Sequence, residues 1–426
     1  MLNNEQQLAC DLISRGDNVF ISGSGGTGKS FLIEHIKKLF GGIGHKFAVA
    51  SSTGISAIPI GGVTIHSLLG TNILGTIPEV KSYVETEKAH KKFTKNLANI
   101  DTIIVDEVSM LSSNYIDMID YYLKTLTHTH HPFGGYQMIF IGDFCQLPPV
   151  EKIREVRYAF ESRAWEMANI KNVFLTKTYR QEDEEFVRHL NEIRFGNVTQ
   201  ETLDFFNPCV GNVLKDPTKL FSTNKTSSDY NMQQLSLLKS DEITVNASYS
   251  GNETYFETIK KNCIAEDILT VKIGAPVILL SNNKIEGYAN GSRGTILSYD
   301  NEKFVVKLLN KHEVNVEVNA WNHLSSELDS KGDYTVLATM TQYPMKLAYS
   351  ITMHKSQGMS IDFLSLNLMD VFVEGQSYVA LSRAKTIQGL HLQYKLNRRI
   401  VKTNERVKKF YEETKSEESV ANITQR

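Results

Sequence analysis

The segment that most constrains the fold is a glycine-rich octapeptide, GSGGTGKS, at residues 23–30. It follows a short apolar run at 18–22 and precedes a segment with helical apolar spacing at 31–40. Glycines let the backbone N–H groups of such a loop turn inward around a phosphate, and the amino end of the following helix adds partial positive charge. The sequence therefore predicts a phosphate loop that binds nucleotide through Gly23, Gly25, Gly26, Thr27, Gly28, Lys29 and Ser30.

Two residues of this phosphate loop and two acids further along have distinct predicted tasks. Lys29 should bridge the β- and γ-phosphates of ATP, and Ser30 should hold Mg²⁺. Asp106, at the end of the apolar run TIIVD, is the second predicted Mg²⁺ ligand. The adjacent Glu107 can orient and deprotonate the attacking water. An acidic pair can also just begin a loop, but a complete phosphate loop upstream favours the catalytic interpretation.

A third polar group follows the apolar run at 138–141. The sequence GDFCQLPP at 142–149 places the uncharged amide of Gln146 beside the nucleotide, where it can sense the γ-phosphate by hydrogen bonding. The alternative is a proline-terminated loop that carries a solvated glutamine.

Apolar runs alternate with helical segments in both halves of the chain, which is typical of parallel sheets covered by helices. We expect a first α/β domain over residues 1–171. Within it, residues 71–99 form a small insert with few apolar positions and many lysines (Lys81, Lys88, Lys91, Lys92 and Lys95).

The sequence of the second half predicts another α/β domain, which is interrupted by short strands of alternating apolar and polar residues. Its two parts would be residues 172–291, including the apolar run at 276–280, and residues 346–400. Between them, residues 292–345 alternate apolar and polar positions with glycine and Asp-Asn turns, which predicts a small β-barrel. Residues 401–426 would form a tail, its last dozen residues disordered.

Composition excludes several other classes of protein. The 426 residues carry a formal net charge of −2, which argues against a chain that coats nucleic acid by bulk charge but not against a locally basic channel. No apolar run approaches the length of a membrane span, and no signal or transit peptide is recognisable. Four widely separated cysteines indicate neither a disulfide framework nor a zinc site, so a reducing, intracellular compartment fits best.

The order of the motifs resembles that of the superfamily 1 DNA helicases, specifically the Pif-type branch related to RecD and Dda. LNNEQ at 2–6 looks like the adenine-reading Q motif, and GSGGTGKS and VDEVSM look like motifs I and II. The remaining segments, in chain order, are PFGGYQMIFIGDFCQLPPV (132–150), RYAFESRAW (157–165), LTKTYRQEDEEFVRHLNEIRFG (175–196), IGAPVILL (273–280), YANGSRGTI (288–296), ITMHKSQGMSID (351–362) and SYVALSRAK (377–385). The ordered set spans nearly the whole chain.

This resemblance implies two RecA-like P-loop NTPase domains, with a small basic insert in the first and an SH3-like β-barrel insert in the second. ATP would be hydrolysed between the two domains. Gln6 would contact the adenine, Gly358 would contribute to the ATP site, and Arg180 and Arg383 would reach the γ-phosphate. Arginine suits that task because its charge is permanent and its planar fork pairs with phosphate oxygens. A surface salt bridge is the alternative for either arginine.

The resemblance also implies a motor that moves 5′-to-3′ along single-stranded DNA and unwinds the duplex ahead. Contacts with the strand are implied at Thr53, Thr64, His66, Thr352, His354, Lys355 and Gln357. Such hydroxyl, imidazole and amide groups bind phosphate without reading base sequence. We expect these loops at the end of the sheets opposite to the nucleotide. The histidines could instead be core residues. The lysine-rich insert would separate the strands or would be only a solvated face.

The implied partners are single-stranded, duplex and forked DNA, with a single-stranded-DNA-binding protein as a further candidate, and the chain would act as a monomer. Replication, repair, recombination and telomere maintenance are settings that the family implies. Two alternatives stay open: a RecD-like subunit, translocating or without catalysis, and a P-loop phosphotransferase. The last needs neither a second motor domain nor the two arginines.

Overall fold

The computed structural model describes residues 2–71, 77–149, 156–221, 223–283, 285–288, 290–309, 311–328, 334–353, 356–371 and 373–424. Two of the predicted DNA contacts, His354 and Lys355, lie outside these residues. The chain divides into two compact units. Unit 1 comprises Met1–Tyr179, Leu324–Val336 and Thr403–Arg426, and unit 2 comprises Arg180–His323 and Leu337–Lys402. None of the helices described is both long and apolar enough to cross a bilayer.

Unit 1 is built on a parallel sheet of short apolar strands. They are β1 (Val19–Gly23), β2 (Phe47–Ser51), β3 (Val63–Thr64), β4 (Thr102–Asp106), β5 (Gln137–Gly142) and β6 (Lys171–Leu175). Their order across the sheet is β3-β2-β4-β5-β1-β6, and every pairing is parallel. Strands β1 and β4 are buried along their whole length, because helices cover both faces of such a sheet.

Helices pack against this sheet through apolar stripes. Helix α2, for example, buries Leu32, Ile33, Ile36 and Phe40, which recur on one face at helical spacing. The helices of this part of the chain are α1 (Asn4–Ser14), α2 (Lys29–Ile43), α3 (Gly54–Ala57), α4 (Ile65–Leu69), α5 (Ile77–Val84), α6 (Glu87–Asn96), α7 (Ser113–Thr127) and α8 (Arg163–Met167).

Unit 1 extends beyond the boundary predicted at residue 171. Strand β6 pairs in parallel with β1, so it completes the first sheet instead of opening a second domain, and the unit continues to Tyr179. A short apolar run carries no mark of the sheet to which it belongs, which is why the boundary was misplaced.

The lysine-rich insert folds as helices α5 and α6 on the surface of unit 1. Helix α5 buries Val80 and Val84, and the ring of its Tyr83 stacks on that of Tyr122 in α7, with centroids 6.4 Å apart. On α6, Lys92 is half-buried, and burial, together with the charges of Lys95 and Lys88, lowers its pKa. The insert is therefore a packed helical pair with a concentrated positive charge.

Unit 2 combines a parallel sheet with antiparallel strands. In chain order the strands of this part of the chain are β7 (Thr218–Phe221), β8 (Glu242–Asn246), β9 (Ser248–Gly251), β10 (Ile268–Lys272), β11 (Pro276–Leu279), β12 (Arg293–Asp300), β13 (Lys303–Leu308), β14 (Glu313–Val316), β15 (Asn319–Leu328), β16 (Tyr334–Gln342), β17 (Met345–Leu347), β18 (Ser350–Thr352), β19 (Leu364–Leu366) and β20 (Leu390–Leu392). Residues 324–328 of β15 and 334–336 of β16 are grouped with unit 1. The helices are α9 (Glu184–Arg194), α10 (Gln200–Phe206), α11 (Asn224–Ser236), α12 (Phe256–Asn262) and α13 (Gln376–Leu381). The parallel sheet has the order β18-β7-β19-β20.

The antiparallel part is wider than the predicted insert at 292–345. Its largest sheet has the order β14-β13-β12-β11-β17, and β11 pairs antiparallel with β12 on one side and β17 on the other. The run at 276–280 was therefore assigned wrongly to the α/β part. It is buried throughout and shows no alternation, so its sequence does not distinguish the two kinds of sheet. Strands β8 and β10 form a further antiparallel pair upstream.

The chain ends in a helix of unit 1, α14 (Glu405–Thr424), where a polar tail was predicted. Residues 415–424, expected to be disordered, continue this helix. Val407, Tyr411 and Thr414 recur at intervals of three or four residues and are buried. Phe410 stacks on Phe160 of unit 1, with ring centroids 4.3 Å apart. The apolar stripe is short and flanked by lysine and glutamate. The sequence therefore does not predict that this helix packs, and only its contacts in the structure show it.

Candidate nucleotide and DNA site

The phosphate loop lies at the carboxyl end of β1, where Gly23 ends the strand and Lys29 begins α2. Gly26 and Gly28 have φ angles of 89° and 85°, a left-handed conformation that glycine adopts without steric cost. The Lys29 Nζ atom donates hydrogen bonds to the carbonyl oxygens of Gly23, at 2.8 Å, and Ser24, at 3.1 Å. The ammonium group is thus held over the loop in which a phosphate is predicted to bind.

The other loop residues have different exposures. Thr27 is buried, and its Oγ1 donates to the carbonyl oxygen of Ser24 at 2.9 Å, which stiffens the turn through Gly25. Ser30 is exposed at the start of α2. Its hydroxyl therefore remains accessible to a ligand of the loop.

Two carboxylates follow the carboxyl end of β4. Burial and the negative charge of Glu107 raise the pKa of Asp106 to about 7, against opposing effects of a backbone hydrogen bond and of Lys29. Glu107 has a φ of 52°, in the left-handed region that non-glycine residues seldom adopt. Burial and the charge of Glu107 thus disfavour the charged form of Asp106, and a bound cation would favour it. Together with the Ser30 hydroxyl, it offers the oxygen ligands that Mg²⁺ prefers, so these residues fit the predicted ion.

Gln146 is buried in the loop after β5, which we call the sensor loop (residues 143–146). Its Nε2 atom donates to Oδ2 of Asp143 at 3.3 Å, and Oδ1 of Asp143 accepts from the backbone N–H of Cys145 at 3.1 Å. Strand β5 lies between β4 and β1 in the sheet. The sensor loop, Asp106 and the phosphate loop therefore follow three neighbouring strands, each about 4.8 Å from the next.

Gln6 packs against the phosphate loop. It shares a capping box with Asn3, in which each side chain accepts from the other residue's backbone N–H. Its Nε2 atom is buried without a hydrogen-bond partner among the described residues, and a Cβ added to Gly28 would lie 3.0 Å from it. The structure thus places the predicted adenine contact beside the predicted phosphate loop.

Sequence reasoning missed Tyr179, whose ring also lies beside the phosphate loop. Its side chain is 55% exposed, and a Cβ on Gly28 would lie 3.6 Å from the ring. The backbone N–H of Tyr179 donates to the carbonyl oxygen of Gly26 at 2.8 Å, and Asn3 Nδ2 donates to its hydroxyl at 3.4 Å. The signal was its position immediately before Arg180, a residue already assigned to the nucleotide.

Arg180 and Arg383, which we call the arginine pair, lie together in unit 2. The Arg180 guanidinium donates to the carbonyl oxygens of Gly358, at 2.9 Å, and Ser382, at 3.3 Å. Burial and the charge of Arg383 lower the pKa of Arg180 to about 9. Two guanidinium groups this close repel each other, so an anion bound to both would stabilise the pair.

Arg383 is 1% exposed, so it is not the surface salt bridge that was its alternative. Its Nε and Nη1 atoms donate to the carbonyl oxygens of Val379, at 3.0 Å, and Ser356, at 3.2 Å. Its Nη2 atom donates to Oγ of Ser382 at 2.8 Å. Gly358, with a φ of 76°, is exposed in the same segment as Ser356.

The predicted DNA contacts of unit 1 lie on the same edge of the sheet as the nucleotide loop, so the expectation of the opposite end is wrong. Ser51 of β2 aligns with Asp106 of β4 and with Thr64 of β3, and Thr53 follows β2 directly. Parallel strands all end at one edge, which fixes this placement. The predicted DNA contacts and the phosphate loop are instead separated along this edge, across the strands of the sheet. Strands β2 and β3 lie three and four positions from β1, or about 14 and 19 Å at ~4.8 Å per strand.

Both threonines cap helices as well. Thr53 Oγ1 accepts from the backbone N–H of Ser56, and Thr64 Oγ1 accepts from that of Ser67, each at 3.2 Å. The ring of His66, half-buried, lies 4.6 Å from that of Tyr115, and burial lowers its pKa. His66 is therefore packed against an aromatic ring and favours its neutral form, as its core alternative suggested.

In unit 2, Thr352 ends the edge strand β18 and is buried, with Oγ1 3.4 Å from Oδ1 of Asn224. Gln357 is half-buried, and its Nε2 atom has no hydrogen-bond partner in the part of the chain that the structure describes. Gln357 is thus the better placed of the two to take up a new ligand.

Comparisons with known proteins show the family of the chain. The family profile described as PIF1-like helicase matches residues 1–204, and the profile described as DNA helicase Pif1, 2B domain, matches residues 254–299. The second match begins well before residue 292, in agreement with the strand pairing of β11. A relative from Bdellovibrio bacteriovorus, ATP-dependent DNA helicase Pif1, is 32% identical over 393 residues that cover 92% of this chain and 87% of the relative.

Solved structures give the same result. The crystal structure of Bacteroides sp Pif1 in complex with ADP-AlF4 has a TM-score of 0.86 and 27% identity, and the match covers 98% of each chain. The crystal structure of Bacteroides Pif1 bound to ssDNA has a TM-score of 0.64 and 28% identity, again over 98% of each chain.

Proposed function

Since the chain belongs to the PIF1-like helicase family and is an ATP-dependent DNA helicase, we propose that it moves 5′-to-3′ along single-stranded DNA and that the residues described above drive this movement. The resemblance inferred from the order of the motifs is thereby confirmed. The direction of movement and the roles of individual residues are proposals.

One observation carries the catalytic proposal. The phosphate loop, Asp106 and the sensor loop follow neighbouring strands at one edge of the first sheet. A triphosphate held by the loop would therefore meet an ammonium group, a carboxylate and an amide within one small volume. A phosphotransferase could share this edge, but the arginine pair of unit 2 favours a motor.

We assign hydrolysis to four groups around the γ-phosphate. Lys29 binds the phosphate oxygens, Glu107 orients and deprotonates the attacking water, and Gln146 hydrogen-bonds to the γ-phosphate or that water. The arginine pair stabilises charge that develops on the γ-phosphate as its bond to the β-phosphate breaks. Ser30 and Asp106 would hold Mg²⁺, which supplies further charge neutralisation when bound.

The nucleotide base would be recognised on unit 1. The Gln6 amide, buried and with an unpartnered donor, suits the hydrogen-bonding edge of adenine. The exposed ring of Tyr179 suits contact with the flat face of the adenine ring. Gly358, in unit 2, would leave room for the ligand because its backbone carries no side chain.

Movement would follow from contacts of one ATP with residues of both units. Groups that bind ATP and its products differently favour different states, so cleavage of the γ-phosphate shifts the balance between them. Thr53, Thr64, His66, Thr352 and Gln357, with His354 and Lys355, would hold the DNA backbone. The helical insert would separate the strands, and the antiparallel sheet of unit 2 would be an SH3-like barrel that guides one of them. The proposed working form is a monomer, with a single-stranded-DNA-binding protein as a candidate partner.

A strand-displacement assay tests the direction. The same duplex is offered with a 5′ single-stranded tail, with a 3′ tail and with blunt ends, and ATP turnover is followed in parallel. We expect unwinding of the 5′-tailed duplex only, and ATP turnover that single-stranded DNA stimulates. Preferential unwinding of the 3′-tailed duplex would refute the direction, and turnover indifferent to DNA would refute the motor.

A further inference from the structure

The last helix of the chain supplies one buried hydroxyl to the nucleotide edge of unit 1. Tyr411 of α14 is 2% exposed. Its hydroxyl lies 2.7 Å from Oγ of Ser22, accepts the backbone N–H of Phe144 at 3.1 Å, and lies 3.3 Å from Oδ1 of Asp143. Ser22 directly precedes the phosphate loop, and the other two residues belong to the sensor loop. One oxygen atom thus connects both loops.

The donor and acceptor capacities of these groups fix the direction of each bond. An ionised carboxylate can only accept, so the single hydroxyl hydrogen of Tyr411 goes to Asp143. The two lone pairs of the tyrosine oxygen then accept from Ser22 and Phe144. All three positions are used, and buried hydrogen bonds of this kind hold their partners in one arrangement.

Asp143, which is held by the Tyr411 hydroxyl, in turn holds the side chain of Gln146. Its Oδ1 atom accepts from Tyr411 and from the backbone of Cys145, and its Oδ2 atom accepts from Nε2 of Gln146. The carboxylate is therefore held in one rotamer, and it orients the glutamine amide in turn. Without the tyrosine hydroxyl, Asp143 would lose one of these bonds and the amide would be held less tightly.

The rest of α14 explains why Tyr411 stays in place. Arg406, five residues earlier, forms an ion pair with Glu161 at 2.8 Å and donates to the carbonyl oxygen of Val156. Phe410 packs among the rings of Phe20, Phe144 and Phe160. The part of the helix that precedes Tyr411 is thus fixed by contacts with earlier segments of unit 1.

We propose that Tyr411 is a positioning residue for ATP hydrolysis: its hydroxyl fixes the sensor loop against the end of β1, so that Gln146 meets the γ-phosphate in one orientation. This rests on the role of Gln146 proposed above. Tyr411 itself touches no substrate. It affects the rate of the chemical step through Asp143, and leaves binding of the nucleotide to the phosphate loop unchanged.

The variant Tyr411→Phe tests this, because it removes the hydroxyl and keeps the ring. Tyr122→Phe is the matched control, since Tyr122 is equally buried and its hydroxyl has no hydrogen-bond partner among the described residues. In the full chain with saturating single-stranded DNA, we expect Tyr411→Phe to lower kcat for ATP about fivefold, the value of one hydrogen bond. KM for ATP should not change, and Tyr122→Phe should match the wild type in both.

A double-mutant cycle with Gln146→Ala separates positioning from general stability. Gln146→Ala alone should lower kcat about a hundredfold, and Tyr411→Phe should lower it no further in that background. An unchanged kcat in Tyr411→Phe overturns the inference, as does a fivefold fall in both backgrounds, which would mean that the hydroxyl acts independently of Gln146. A wild-type kcat in Gln146→Ala would refute the proposed sensor itself, and with it the role of Tyr411.

Discussion

The nucleotide edge of unit 1 and the arginine pair of unit 2 bury charges of opposite sign. In unit 1, burial and Glu107 raise the pKa of Asp106 to about 7. In unit 2, burial and Arg383 lower the pKa of Arg180 to about 9. Each region therefore disfavours its own charged form, because burial and a neighbouring like charge act in the same direction.

The two regions should also differ in the kinetic constants that they affect. Groups that hold the nucleotide in its ground state set KM, whereas groups that meet charge only as it develops set kcat. The contacts of unit 1 include both kinds, because Lys29 and Gln6 lie beside the phosphate loop while Gln146 faces the reacting phosphate in our proposal. The arginine pair should be of the second kind alone.

Replacing Lys29 should have the largest effect. Lys29→Ala removes the only ammonium group that contacts the loop carbonyls in the described part of unit 1, so we expect ATP turnover to fall at least about a hundredfold, with or without DNA. Lys38→Ala, an exposed lysine on the same helix, is the control and should be silent. Turnover close to the wild type in Lys29→Ala would refute the role of Lys29, and with it the contrast between the two regions.

Replacing Arg180 should come next. Arg180→Ala is expected to lower kcat about a hundredfold and to leave nucleotide affinity nearly unchanged, because the guanidinium acts on charge that develops during cleavage. Arg180→Lys should not restore the rate, since lysine lacks the planar fork. Arg188→Ala, which removes an exposed arginine with ion pairs to Glu192 and Glu201, should leave the rate unaffected. An equal loss in KM and kcat would assign Arg180 to ground-state binding instead.

Gln6 should show the reverse pattern. Gln6→Ala removes the buried amide beside Gly28, so we expect KM for ATP to rise about tenfold while kcat stays the same. The preference for ATP over GTP should fall with it, because an amide that pairs with one base rejects the other. The neighbouring, exposed Gln7→Ala should retain both values. Unaltered base selectivity would move adenine recognition elsewhere.

Thr64 should give the smallest effect and should change DNA binding alone. Thr64→Val is expected to weaken single-stranded DNA binding about threefold, the loss of one hydrogen bond to phosphate, without changing KM for ATP. Because Thr64 also caps α4, the control is Thr199→Val, which removes the equivalent cap of α10. Fluorescence anisotropy measures the affinity. Equal effects of the two variants would mean that Thr64 acts through stability.

Much of the nucleotide site could be predicted from sequence because its chemistry is local. The phosphate loop, the acidic pair after β4 and the amide of Gln146 each occupy a few consecutive residues after an apolar strand. Their placement at one edge followed from the rule that parallel strands end together. The same rule, applied to β2 and β3, would have placed Thr53 and Thr64 at that edge too, instead of at the opposite end.

Residues whose role depends on a distant neighbour were missed or misplaced. Tyr179 is conspicuous only once Gly28 and Asn3 are seen beside it, and β11 changes its sheet only when its partners are known. Helix α14 has too few apolar residues to predict a packed helix. Its buried face is defined by the aromatic rings of unit 1, which lie more than two hundred residues earlier in the chain.

Sequence alone determined which groups are proposed to react, because a loop of glycines before a lysine, or a carboxylate at the end of a buried strand, is a pattern of adjacent residues. Only the tertiary structure decided which groups share an environment. Burial and proximity set the pKa values of Asp106 and Arg180, and they bring Tyr411 to the sensor loop, since both depend on packing between segments that the order of residues does not reveal.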